Sequence, residues 1–121
     1  MPPRERAHAL SRRHRITPQG SFGPILRNGR KFRGDKLVLH ALPGHGCSRI
    51  GVALARRLVP LAVDRNRVKR AVREAFRRHD VKGSAVDCVV ALREKMGRVD
   101  VAEIERELAR LLDELQRSER R

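Results

Sequence analysis

Asp64-Arg65-Asn66-Arg67-Val68-Lys69-Arg70-Ala71-Val72-Arg73-Glu74-Ala75-Phe76-Arg77-Arg78-His79 is the stretch from which the rest of the chain can be read. Val68, Ala71, Val72, Ala75 and Phe76 recur at the spacing of one helical face, so the segment is an amphipathic helix. Asp64 stands where an N-cap is wanted. With Arg65 set at 0°, Lys69, Arg73 and Arg77 follow at about 40°, 80° and 120°, and Arg70 at about 140°. Arg67 and Arg78 lie further round, near ~200–220°. Residues 65–79 thus carry seven basic residues and a single acid, Glu74. Like charges four residues apart cost a helix a few tenths of a kcal/mol per pair. Solvated faces normally mix their signs, so a one-sign ladder predicts a phosphate backbone lying against it. Asn66 can both donate and accept, which suits a phosphate, a ribose or a neighbouring carbonyl.

Outward from this helix, residues 36–42 (KLVLHAL) and 49–55 (RIGVALA) read as strands, separated by the turn-forming PGHG at 43–46. In the second strand Ile50, Val52 and Leu54 alternate with Gly51, Ala53 and Ala55, so one face is bulky and the other nearly bare. A bare face suits a packed helix or the close approach of a ligand. Residues 86–92 (VDCVVAL) read as a buried strand. Asp100 with Glu103 forms a variant capping box. It opens a helix with Val101, Ile104, Leu108, Leu111, Leu112 and Leu115 on one face, frayed from Ser118 to the end. Residues 17–28 (TPQGSFGPILRN) read as a short first helix, with Thr17 as N-cap, Pro18 at the first position and Gly29 as the stop. Phe22, Ile25 and Leu26 share its face. Residues 1–15 are basic and read as a flexible arm, and residues 16–117 as one domain. The order implies an α+β sandwich, a sheet covered by helices.

Composition narrows the function. The chain has 121 residues, 29 Lys and Arg against 14 Asp and Glu, and a net charge of +15. Such an excess calls for a polyanionic partner. From Glu94 onward acids and bases nearly balance, so that last quarter reads as scaffold away from the polyanion. No apolar run approaches the ~20 residues that span a bilayer. The Arg-studded N-terminus lacks a signal peptide's apolar stretch, and Cys47 and Cys88 lack metal-ligand spacing. Free thiols fit a reducing cytoplasm. Clustered carboxylates for metal-assisted hydrolysis and a GxxxxGK loop are both missing. With only Phe22, Phe32 and Phe76 as aromatics, base stacking is limited. The residues describe an RNA-binding protein rather than a catalyst, with no catalytic or metal-ligating residues of its own.

Arg65-Asn66-Arg67-Val68-Lys69-Arg70 followed by Arg73-Glu74-Ala75-Phe76-Arg77 resembles the RNR signature of the bacterial ribonuclease P protein family. Ser21-Phe22, Ile25, Gly29, Phe32, Leu37-Val38-Leu39, Arg49-Ile50-Gly51-Val52, Arg56-Arg57 and Val86 to Arg93 are similar in order and spacing to the family pattern. The resemblance spans roughly residues 12–117. It implies an α-β-β-β-α-β-α order with a mixed four-stranded sheet, and hence a strand near residues 30–33 that the pattern itself does not demand. It implies a subunit that helps a catalytic RNA remove the 5′ leader of precursor tRNA. The catalytic centre and most of the Mg²⁺ would sit in the RNA, and no obligate protein partner is evident.

Carried over by position, Arg56, Arg57, Arg65, Asn66, Arg67, Lys69, Arg70, Arg73 and Arg77 would face the RNA. Phe22, Phe32, Lys36, Leu39 and Ala53 would line a cleft for the leader. Two departures stand out. Val59-Pro60-Leu61-Ala62-Val63 replaces the usual Gly-Asn-Ala-Val, one residue longer and without the Asn. Leu26 stands where relatives often carry a second aromatic. The alternative is a ribosomal or other structural RNA-binding protein with no role in cleavage.

Overall fold

The structure is a computed structural model that describes residues 15–16, 18–44, 46–83 and 85–119. Its elements are α1 (Pro18–Asn28), β1 (Arg30–Arg33), β2 (Leu37–Pro43), β3 (Arg49–Ala53), α2 (Ala62–Arg78), a 3₁₀ turn (Asp80–Gly83), β4 (Val86–Leu92) and α3 (Val101–Glu119). The strands form one mixed sheet in the order β1-β2-β4-β3. β2 runs antiparallel to both β1 and β4, and β3 runs parallel to β4. This is the expected α+β sandwich with the strand near residue 30.

Strand alternation sorts the sheet residues onto two faces. Leu37, Leu39 and Ala41 of β2, Ile50 and Val52 of β3, and Val86, Cys88 and Val90 of β4 point to one face. There they meet the stripe of α2 (Val68, Ala71, Val72, Ala75, Phe76) and that of α3 (Ile104, Leu108, Leu111, Leu112, Leu115) in the main core. The other face carries Val89, Leu42 and Ala53, packed with Ile16 and with Phe22, Ile25 and Leu26 of α1. A Cβ on Gly51 would run into the Phe22 ring and the Ile16 side chain. The bare face of β3 is therefore where the chain's own first helix sits.

α1 forms although Pro24 lies inside it. Short helices draw their stability from packing rather than from propensity, and the Phe22-Ile25-Leu26 face supplies it. Gly29 stops the helix by donating its N–H to the Ile25 carbonyl at 2.9 Å. A side chain on Gly29 would collide with that carbonyl and with the Ala41 backbone.

Several expected boundaries shift. α2 begins at Ala62, two residues before the expected cap, with extended Leu61 at the N-cap and no side-chain cap. Asp64 sits instead in the first turn, where a negative charge suits the positive end of the helix. β3 ends at Ala53 rather than at residue 55. Asp100 caps α3 as expected, its Oδ1 accepting the Glu103 N–H at 3.2 Å. The Glu103 carboxylate does not return to the cap; it pairs with Lys36 Nζ at 3.0 Å. α3 runs on through Ser118 to Glu119, and the Arg30 guanidinium of β1 donates to Ser118 Oγ and to the Glu119 carboxylate.

Side chains also lock the elements together. Buried Glu107 of α3 accepts the backbone N–H groups of Lys36 at 3.0 Å and Leu37 at 2.6 Å. Arg49 grips Asp87 bidentately, Nε to Oδ1 at 2.9 Å and Nη2 to Oδ2 at 2.7 Å. At the outer edge of β3, Arg15 forms a parallel bridge with Ile50, and the Ile16 N–H donates to the Ile50 carbonyl at 2.8 Å. The expected arm therefore includes a held Arg15; residues 1–14, the expected cap Thr17 and the last two arginines lie outside the described residues.

Candidate RNA-binding surface

The β3–α2 connection decides where the charges go. The chain leaves β3 at Ala53, turns through Arg56 and Arg57, and enters α2 at Ala62. The Arg65 guanidinium reaches back over this turn and donates to the carbonyls of Val59 at 2.9 Å and Pro60 at 2.7 Å. Arg65 thus spends part of its hydrogen-bonding capacity on shaping the segment that departs from the family pattern. Beside it opens a groove of about 700 Å³. Phe22 of α1 and Ala53 of β3 line one side; Arg56, Arg57, Arg65, Asn66 and Lys69 line the other. Seven of the residues picked out in the sequence meet there. An aromatic ring and a strip of small apolar side chains lie within reach of four cations and an amide.

Beyond the groove the ladder continues along α2. Arg70 is exposed. Arg73 is half-buried, and burial together with the charge of Arg15 pushes its guanidinium below its usual range. Two cations held near each other in this way favour an anion between them. Arg77 is partly neutralised, because Glu74 binds both it and Arg78. The Arg77 guanidinium holds the Glu74 carboxyl below the usual carboxylate range, with Arg78 adding to the effect. Arg67 points away from the ladder and lines a separate cleft with Lys36 and Arg98.

The expected leader cleft is only partly assembled. Phe22 and Ala53 lie together on the α1 face. Leu39 is fully buried in the core on the opposite face. Phe32 pairs with Leu39 across the sheet and so shares that opposite face, packed at the edge of the same core. Lys36 precedes β2 and is tied to Glu103 of α3. Phe32, Lys36 and Leu39 therefore do not line a cleft with Phe22. The residue that alternation puts on the α1 face of β2 is His40, which the sequence reading did not place in the cleft. It is buried, its Nδ1 has no hydrogen-bond partner, and burial and Lys31 lower its pKa. The Val38-His40-Leu42 parity carried that signal; nothing in the sequence pointed to Arg15 beside Arg73.

Among the described residues no three His, Cys, Asp or Glu side chains are grouped to hold a metal ion. No described helix is long and apolar enough to cross a membrane.

A small α+β domain with a cationic helix ladder and a groove joining it to the sheet defines an RNA-binding protein. The chain belongs to the ribonuclease P protein family: the family model Ribonuclease P matches residues 10–116. The ribonuclease P protein component of Nitrosomonas eutropha is 35% identical over 111 residues, 89% of this chain and 92% of that one. The component of Xylella fastidiosa is 37% identical over 98 residues, 81% of this chain and 73% of that one. The RNase P protein of Thermotoga maritima superposes with a TM-score of 0.68 at 31% identity, covering 81% of this chain and 94% of that one. A Staphylococcus aureus RNase P protein mutant with defective mRNA degradation activity gives 0.71 at 26% identity, covering 86% and 89%. These likenesses make the chain a subunit of ribonuclease P that assists tRNA 5′ processing, and do not favour a structural RNA-binding protein with no part in cleavage.

Proposed function

We propose that this subunit works in the cytoplasm by binding the catalytic RNA along α2 and the precursor tRNA leader in the groove. The observation that carries this is the groove itself, in which Phe22 and Ala53 face Arg56, Arg57, Arg65, Asn66 and Lys69. A single strand has there one ring for a base and several cations for its phosphates. Arg70 and Arg73 continue the cationic surface, so each strand on it loses part of its self-repulsion. Arg77 contributes less, since Glu74 already engages it. The Mg²⁺ of the reaction would be held mainly by the RNA subunit, as membership of the family implies.

The test is cleavage of a 5′-extended precursor tRNA at low Mg²⁺ with a bacterial ribonuclease P RNA, with and without the protein. Mature 5′ ends are expected only when both are present. Cleavage by the protein alone would assign it a nuclease centre and overturn the reading. That arm has added weight because a similar Staphylococcus aureus protein mutant is defective in mRNA degradation. Tight RNA binding without stimulation would also overturn it.

A further inference from the structure

Arg67 belongs to the signature yet leaves its ladder. It lines a cleft of about 610 Å³ between α2 and the start of α3, together with Lys36 and Arg98. Two acids share this cleft: Glu103 pairs with Lys36 at 3.0 Å, and Asp100 accepts the Glu103 N–H while keeping its charge. Arg67 and Arg98 make no ion pair or hydrogen bond with a described residue. Three cations thus face two carboxylates on one concave surface, and neither guanidinium is held in an ion pair.

The segment that carries Arg98 is held in place. The Arg93 N–H donates to the Lys36 carbonyl at 2.9 Å, and Arg93 Nη1 donates to the Gly34 carbonyl at 2.8 Å. The Met96 N–H donates to the Leu58 carbonyl at 3.0 Å, in the same connection that shapes the groove. Met96 and Val99, on either side of Arg98, are both buried. Arg98 is therefore presented from an anchored loop, and its preorganised fork loses little freedom on binding.

We propose that Arg67 and Arg98, with Lys36 at the rim, form a second phosphodiester-binding cleft on the α3 side of α2. Nucleic acid then grips α2 on two flanks, the groove and ladder on one and this cleft on the other. The C-terminal part of the chain, near neutral in charge overall, takes part in binding through one residue. This inference rests on the RNA-binding reading of α2.

The experiment measures affinity of the full chain for the catalytic RNA across a salt series, and of the assembled holoenzyme for precursor tRNA. The variants are Arg98→Ala, Arg98→Glu, Arg67→Ala, Arg73→Ala on the ladder, and Arg110→Ala on the exposed side of α3. Arg98→Ala and Arg67→Ala should each weaken binding and lower the salt slope by up to about one, the change for one lost phosphate contact. Arg98→Glu should weaken it further, and Arg110→Ala should match the parent. A defect confined to catalytic RNA or to precursor tRNA supports the cleft and identifies the source of the phosphate. If Arg98→Ala and Arg98→Glu match Arg110→Ala in both assays while Arg73→Ala is impaired, the second cleft is wrong and the ladder stands. If Arg73→Ala is silent as well, the RNA-binding reading of α2 falls and this proposal with it.

Discussion

The residue scale separates positions that bear charge from positions that spend it. Arg65 shares the ladder with Lys69 and Arg73, but its guanidinium is bonded to the carbonyls of Val59 and Pro60. Arg65→Ala should therefore cost about 1 kcal/mol of folding stability, read from the denaturant midpoint, besides weakening RNA binding. Both bonds leave the single nitrogen Nη1, so Arg65→Lys, whose ammonium also carries several N–H donors, should keep the charge and retain more stability than Arg65→Ala. Exposed Arg70 should show no stability change on replacement by Ala. Cys88 provides a separate test. Burial pushes its thiol up to about 12 from an ordinary 9. Above pH 9 the unfolded chain loses that proton while the folded one keeps it, so stability falls as pH rises from about 9 towards 12. Cys88→Ala should flatten that alkaline loss in denaturant titrations, and no Tyr is present to obscure it.

Elements show how much of the molecule was legible in the chain. The α2 stripe was plain because five apolar residues at helical period all found the core. Its start was misplaced because Asp64 satisfies a charge preference inside the first turn rather than a capping bond. β1 was invisible to pattern reading: its Arg30-Lys31-Phe32-Arg33 sequence is exposed except for Phe32, so no alternation marks it. Part of the candidate site failed on parity. Leu39 and Phe32 have the wrong phase to meet α1, and one residue along, His40 has the right one. Through-space partners such as Arg15 with Arg73 depend on how β3 and α2 are packed, which no local pattern encodes. The contact between α1 and β3 gives this scale its prediction. Gly51→Ala should displace Phe22 and destabilise the fold by about 1–3 kcal/mol. Precursor tRNA affinity should fall more than affinity for the catalytic RNA, since Phe22 lines the groove. Equal losses for both ligands would deny Phe22 a place in leader binding.

Across the whole molecule, the two faces of the sheet divide the labour. The α2–α3 face holds the large core, and the α1 face is closed by a short helix over small residues. Stability and binding are thereby separable, and a salt series should separate them in practice. Raising ionic strength should cut RNA affinity steeply. It should leave the thermal midpoint of the free protein unchanged or raise it, because screening relieves the self-repulsion of a +15 chain.

The bridge between Arg15 and Ile50 has a bearing on the life of the protein before it meets RNA. A sheet ends in two rows of unpaired backbone groups, and such rows recruit other strands into aggregates. One border here, β1, is written almost wholly in cations. The other, β3, is mostly apolar, and the backbone of residues 15 and 16 lies along it. A newly made, unassembled subunit is thus guarded on both borders, by like-charge repulsion on one and by its own leading segment on the other. Trimming the chain back past Ile16 should leave the main core whole and yet make the protein self-associate through β3.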